Sequence, residues 1–200
     1  VLKVKIQPYN SVLISADSQE ELNITFMRFT EFYESPNPRF RNQIFTIGQL
    51  KNWYSIEYGA DTYHKDWAGF NVPSSVLVPF RQGLFDPLTE QEKEFLDLFK
   101  YRHDVFYIIG AQNDSVLRHE LAHALYSSNM KYRSTINSYI TKNKSGLKKT
   151  SKYILNKGYC KDVLNDELQA YITDNEDEYI VKNTPSHIIQ SINSIYQQYK

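Results

Sequence analysis

"SVLRHELAHALYSS", residues 115–128, sets two histidines on either side of Glu120-Leu121-Ala122. On an α-helix, residues four apart lie one above the other. A helix here therefore brings His119 and His123 side by side, where two imidazoles can share one metal ion at roughly 2.0–2.1 Å. Glu120, about 100° round such a helix, stands beside the ion rather than on it. From there its carboxylate can take a proton from a water activated by the ion and later deliver it to a leaving amine. The ion lowers the pKa of such a water to about 7 and polarises a carbonyl. Asn113 and Asp114 offer N-caps. Val116, Leu117, Ala122, Ala124 and Leu125 supply buried faces, and the two small alanines allow close packing near a metal.

A catalytic zinc takes three protein ligands and keeps a fourth position open. In one large class the third ligand is the last His of H-E-x-x-H-x-x-G-x-x-H. Tyr126 stands here where the Gly belongs and Asn129 where the His belongs, which excludes that class. Farther along, Asn165-Asp166-Glu167-Leu168-Gln169-Ala170-Tyr171 offers the best candidate. Glu167 and Tyr171 are four apart on an expected helix, with small Ala170 beside them, so Glu167 completes a His2Glu set. Tyr171, over the same face, is the first candidate for a donor to a developing oxyanion, and Tyr126, one turn beyond His123, is the second. His187, near a helix start after Pro185, competes with Glu167 as third ligand; His64 and His103 read as structural or exposed.

HELAH followed by Glu167 on a later helix resembles the zincin metallopeptidases, specifically their gluzincin branch. The likeness covers roughly residues 75–174 and leaves the first seventy unmatched. It implies a zincin-like α+β fold: a small mixed or antiparallel sheet packed on the active-site helix, with a helical C-terminal half. It also implies one Zn2+ on His119, His123 and Glu167, with Glu120 as general base and a peptide or protein as substrate. An edge strand ahead of the active helix would bind that substrate by strand addition, a role that falls to Val76–Phe80. Thermolysin-type gluzincins carry N-E-x-x-x-D around the third ligand, closer to the second His. Here Glu167 follows His123 by 44 residues, and Tyr171 occupies the place of that carboxylate. Asp166 or Asp174 is then left to orient a metal-bound imidazole, whose other N–H usually goes to an oxygen.

The rest of the chain is consistent with a single domain over residues 1–200, in which 1–70 form an N-terminal part and 75–174 the motif-bearing core. VLKVKIQ and SVLISA alternate with period two and read as a strand hairpin across Pro8-Tyr9-Asn10. Ser18 caps a helix that Ser35-Pro36 ends, residues 48–58 read as another helix, and Thr89 with Glu92 forms a capping box. VFYIIG (105–110) reads as a buried strand, and Pro79 inside Ser75–Phe80 suggests an edge strand. Helices follow over 132–143, up to Gly158, over DELQAYITD and from Pro185 onward.

Twenty-three basic residues balance twenty-three acidic ones, so overall charge selects no partner. Cys160 is the only cysteine, which excludes an internal disulfide and a cysteine-built metal site and favours a reducing, cytoplasmic compartment. No run approaches the roughly 18 apolar residues of a membrane span. VLKVKIQ is too short and too alternating for a signal peptide, and the missing initiator Met points to an upstream segment that was removed. Lys131 to Cys160 holds eight Lys or Arg and no acid, while Asp162 to Glu178 is strongly acidic, a pattern of two solvated helix faces. Lys148-Lys149 come with no recognisable nucleic-acid module, so nucleic acid is not an expected partner. Two alternatives to a peptidase share the motif. One is a non-catalytic binding or regulatory protein on the same scaffold; the other is a metal-dependent hydrolase of a non-peptide substrate. The intact Glu120 favours catalysis, because a structural site needs no such carboxylate.

Overall fold

A computed structural model of the chain describes residues 1–159 and 161–200; Cys160, with the expectations resting on it, lies outside the described residues. The fold is mixed α+β, and its packing falls into two compact units, Val1–Leu117 and Arg118–Lys200.

The first unit is built on a sheet. The alternating segments fold as a hairpin in which β1 (Lys3–Gln7) pairs antiparallel with β2 (Ser11–Ser15). Between them Tyr9 and Asn10 adopt φ of 64° and 50°, the paired left-handed geometry that tight hairpins need. β2 runs parallel to β4 (Tyr107–Ala111), and β4 runs antiparallel to the edge strand β3 (Gly69–Pro73). The order β1-β2-β4-β3 therefore makes a small mixed sheet. β4 is buried along its whole length, as expected for the apolar run VFYIIG.

Ser18 opens α1 (Gln19–Glu34) by accepting from the Glu21 N–H. Leu22, Phe26 and Phe29 of this helix are buried, and Phe26 stacks on Phe70 of β3 with ring centroids 5.0 Å apart. Gly110 permits that approach, since a Cβ on it would lie 2.8 Å from the Phe26 ring. The Thr46–Gln49 box starts α2 (Ile47–Tyr58), and α3 (Tyr63–Asp66) is a single turn.

Ser75–Phe80 departs from the expected edge strand. Ser74–Val76 forms a 3-10 turn that runs into α4 (Leu77–Arg81). The buried side chains are Val76, Leu77 and Phe80, whereas Val78 is exposed. That spacing is helical rather than alternating, and Pro79 falls in the first helical turn, where its missing N–H costs nothing. The strand-addition role given to Val76–Phe80 goes with the strand. α5 (Glu90–Asp97) does start with the Thr89–Glu92 box. The Glu92 carboxylate has a second task, accepting both Nε–H and Nη2–H of buried Arg28, whose guanidinium also donates to the carbonyls of Phe85 and Pro87.

α6 (Asp114–Ser128) begins in the first unit, with Asn113 accepting from the Val116 N–H, and carries HELAH into the second. There follow α7 (Met130–Lys142), α8 (Lys148–Asn156), α9 (Leu164–Asp174), α10 (Glu178–Asn183) and α11 (Ser186–Tyr199). α9 packs against α7, α8, α10 and α11, so even its polar residues Glu167, Gln169, Thr173 and Asp174 are buried. Gly146 is a point of close approach as well as a break, because a Cβ there would meet Ile188 Cδ1 of α11 at 2.7 Å. Among the described residues no helix is long and apolar enough to cross a membrane.

Glu31 on α1 is buried, and its Oε2 has no hydrogen-bond partner. Burial pushes its carboxyl up to about 7, against the pull of the Ser35 and Tyr63 hydroxyls. The folded chain thus keeps a proton that the unfolded chain releases near 4.5. Stability from this group is full below that lower pKa and is lost as pH rises through the folded one. Glu31→Gln should remove the loss. Denaturant unfolding at pH 8 should then show the variant about 3 kcal/mol more stable than the native sequence, with the two converging near pH 4.5.

Candidate metal centre

His119 and His123 both lie in the α6 portion that belongs to the second unit, one turn apart. Their Nε2 atoms face each other at 3.1 Å, with ring centroids 4.9 Å apart. Each Nδ1 is engaged behind its ring, His119 with Asp174 Oδ2 at 2.5 Å and His123 with Asp166 Oδ1 at 2.8 Å. A carboxylate accepts only, so each neutral imidazole carries its proton on Nδ1 and a lone pair on Nε2. Two lone pairs this close repel unless a positive charge lies between or beside them.

The third donor is Glu167, from α9. Its Oε2 lies 3.9 Å from His119 Nε2 and its Oε1 3.8 Å from His123 Nε2. Glu167 is buried, and its Oε2 has no hydrogen-bond partner. A buried, unpaired carboxylate oxygen is costly in a folded protein, and here it faces two nitrogen lone pairs. Two nitrogens each 2.0–2.1 Å from a tetrahedral metal are about 3.3 Å apart, close to the 3.1 Å observed. His119, His123 and Glu167 therefore form a group that could hold a metal ion.

Without a cation the same cluster holds on to a proton. Burial disfavours a charged His123, but the Asp166 and Glu167 carboxylates outweigh it and set its pKa well above that of ordinary imidazole. Burial likewise pushes the Glu167 carboxyl up to about 7, against the two imidazoles that favour its ionised form. Glu120 is also buried, and its charge acts on both His123 and Glu167.

The helix geometry explains the convergence. Glu167, Tyr171 and Asp174 are spaced i, i+4, i+7 and so share one stripe of α9. Asp174 is the last residue of that helix. Its other oxygen accepts from the Glu176 N–H across the turn at Asn175, whose φ of 59° asparagine tolerates well.

Both Asp166 and Asp174 serve, one for each histidine, where the sequence offered them as alternatives. Tyr171 lies at the site with its ring against His119, centroids 4.7 Å apart, and its hydroxyl pairs with Tyr159 at 3.2 Å. Tyr159 was not singled out from the sequence, and nothing marks it among sixteen tyrosines. Lys157 lies over the Tyr171 ring, its ammonium 4.7 Å from the centroid and 2.9 Å from Asp177. The Tyr126 hydroxyl is committed to Asn137 Oδ1 at 2.8 Å. His187 is exposed in the first turn of α11 and is not part of the donor group. No protein-family model, curated protein or solved structure matches this chain.

Binding of a divalent ion to the folded state alone raises its stability in proportion to the logarithm of free metal over Kd. Zn2+ should therefore raise the melting temperature of the metal-free protein. His187→Ala should keep that rise, and Glu167→Ala should lose it.

Proposed function

We propose that His119, His123 and Glu167 hold one zinc ion and that the chain is a zincin-like peptidase of the gluzincin type. The observation that carries this reading is the pair of Nε2 lone pairs facing each other beside the unpaired, buried Glu167 oxygen. When bound, zinc supplies a Lewis acid that acidifies water and polarises a carbonyl.

The chain's own residues do the rest. Asp174 and Asp166 accept the Nδ1 protons of His119 and His123, which fixes both tautomers and both ring orientations. Glu120 follows His119 directly and acts as general base. Its carboxylate takes a proton from the attacking water as the water oxygen bonds to the carbonyl carbon. The same proton then passes to the departing nitrogen as the C–N bond breaks, leaving a free acid and a free amine. Tyr171 braces the His119 ring by edge contact, and rotation of its hydroxyl away from Tyr159 would let it donate to the oxyanion. Burial of Glu120, Glu167 and His123 keeps these charges in a medium where each interaction is stronger than in water.

Glu120→Gln preserves size and removes the base. With a denatured peptide library as probe and mass spectrometry as readout, the native protein loaded with zinc should cleave. The variant should still bind zinc and cleave about 10²- to 10⁴-fold more slowly. Equal cleavage by both proteins would remove Glu120 from the chemistry. Tight zinc binding with no cleavage by the native protein would favour a binding or regulatory role.

A further inference from the structure

Behind His123 the hydrogen bonds continue past Asp166. Asp166 Oδ1, which accepts from His123 Nδ1, also accepts from Gln169 Nε2 at 3.0 Å. Gln169 Oε1 in turn accepts from the Tyr132 hydroxyl at 2.7 Å. Gln169 and Tyr132 are both fully buried. They stand on different helices, α9 and α7, and the Tyr132 ring is held by Tyr199 and Tyr196 of α11 with centroids 5.7 and 6.2 Å away.

The direction of every bond in this chain is forced. A carboxylate accepts only, so the Gln169 amide must turn its NH2 towards Asp166. Its carbonyl oxygen then faces Tyr132, whose hydroxyl must donate. The other end is equally constrained, because His123 can meet Asp166 only through Nδ1–H, which leaves the Nε2 lone pair pointing at His119. One buried hydroxyl on α7 thereby anchors the amide on α9, which in turn anchors the carboxylate that holds the Nδ1–H of an imidazole on α6.

We infer that Tyr132 and Gln169 are positioning residues of the metal centre, acting through Asp166 to hold His123 ready for the ion. The inference rests on the metal-binding reading above but not on peptidase activity. Tyr132→Phe keeps the ring and deletes only the donor. The Gln169 carbonyl is then buried without a donor, so the amide is held only at its Asp166 end and fixes that carboxylate less firmly against His123. Neighbours that directly support a metal-bound imidazole typically set affinity by 10- to 100-fold. A group one step further out should set it by about 3- to 10-fold.

The test is Co2+ and Zn2+ affinity of the full chain, by chelator competition and by the visible spectrum of the Co2+ form. Tyr132→Phe and Gln169→Leu are compared with Asp166→Ala and with each double variant. Each single change should weaken binding about 3- to 10-fold and shift the Co2+ bands. Neither should weaken it further once Asp166 is alanine, because groups acting through one shared partner are not additive. Thr150→Val deletes another buried hydrogen bond of this unit, to Thr184 at 2.8 Å. It should lower the melting temperature and leave affinity and spectrum unchanged.

The proposal is overturned by native affinity and spectrum in both folded variants. It is equally overturned by the same loss with and without Asp166, or by a matching loss in Thr150→Val. Should Tyr132→Phe not fold, the Gln169→Leu cycle decides alone. Absence of any metal binding by the native chain would instead overturn the metal centre itself, and the positioning role with it.

Discussion

Two imidazole nitrogens that face each other 3.1 Å apart, each with its proton committed on the far side, define a place where positive charge has to reside. Geometry alone would allow one ring to turn away, and the two aspartates prevent it. Each is itself pinned: Asp174 by the Glu176 N–H and Asp166 by the Gln169 amide. Glu167 adds a buried oxygen with no partner. Folding the second unit thus gathers four carboxylates, Glu120, Asp166, Glu167 and Asp174, about two bases. A proton satisfies that arrangement partly, and the His119, His123 and Glu167 group could also hold a metal ion.

Buried charge is handled differently in the first unit. Arg28 and Glu92 neutralise each other directly, with two further carbonyls accepting from the guanidinium. That pair is closed and leaves nothing for a ligand. Glu31 has no countercharge and keeps its proton instead. In the second unit burial also pushes Glu167 up to about 7, but there the neighbouring groups are bases. Asp166 and Asp174 are spent on orienting the two histidines, and the unpaired Glu167 oxygen lies beside a histidine lone pair. The difference between a structural ion pair and a candidate metal centre lies in that leftover valence.

Much of the local structure was legible because its causes are local. The β1–β2 hairpin follows from alternation and a short turn, α5 from the Thr89–Glu92 box, and α6 from Asn113 and the helical spacing of HELAH. Val76–Phe80 was misread because a proline in an apolar run suits either an edge strand or a first helical turn. Burial of Val76, Leu77 and Phe80 on one side, a tertiary fact, favoured the helix. The edge strand Gly69–Pro73 went unseen, since its register exists only against β4. Tyr132, Gln169 and Tyr159 carry no motif at all, and their meaning comes from whom they meet.

The sequence by itself determined that His119 and His123 stand side by side, that Glu120 accompanies them, and that Glu167 and Tyr171 share a helix stripe. Those relations depend on helical spacing, which the chain carries within a few residues. Only the tertiary structure decided that Asp174 would take His119 and Asp166 His123, pairs separated by 55 and 43 residues. It alone decided that Glu167 rather than His187 would meet the two rings. Such pairings depend on the rotation of α9 about its own axis, set by the packing of α7, α8, α10 and α11 around it. No short-range pattern encodes that angle.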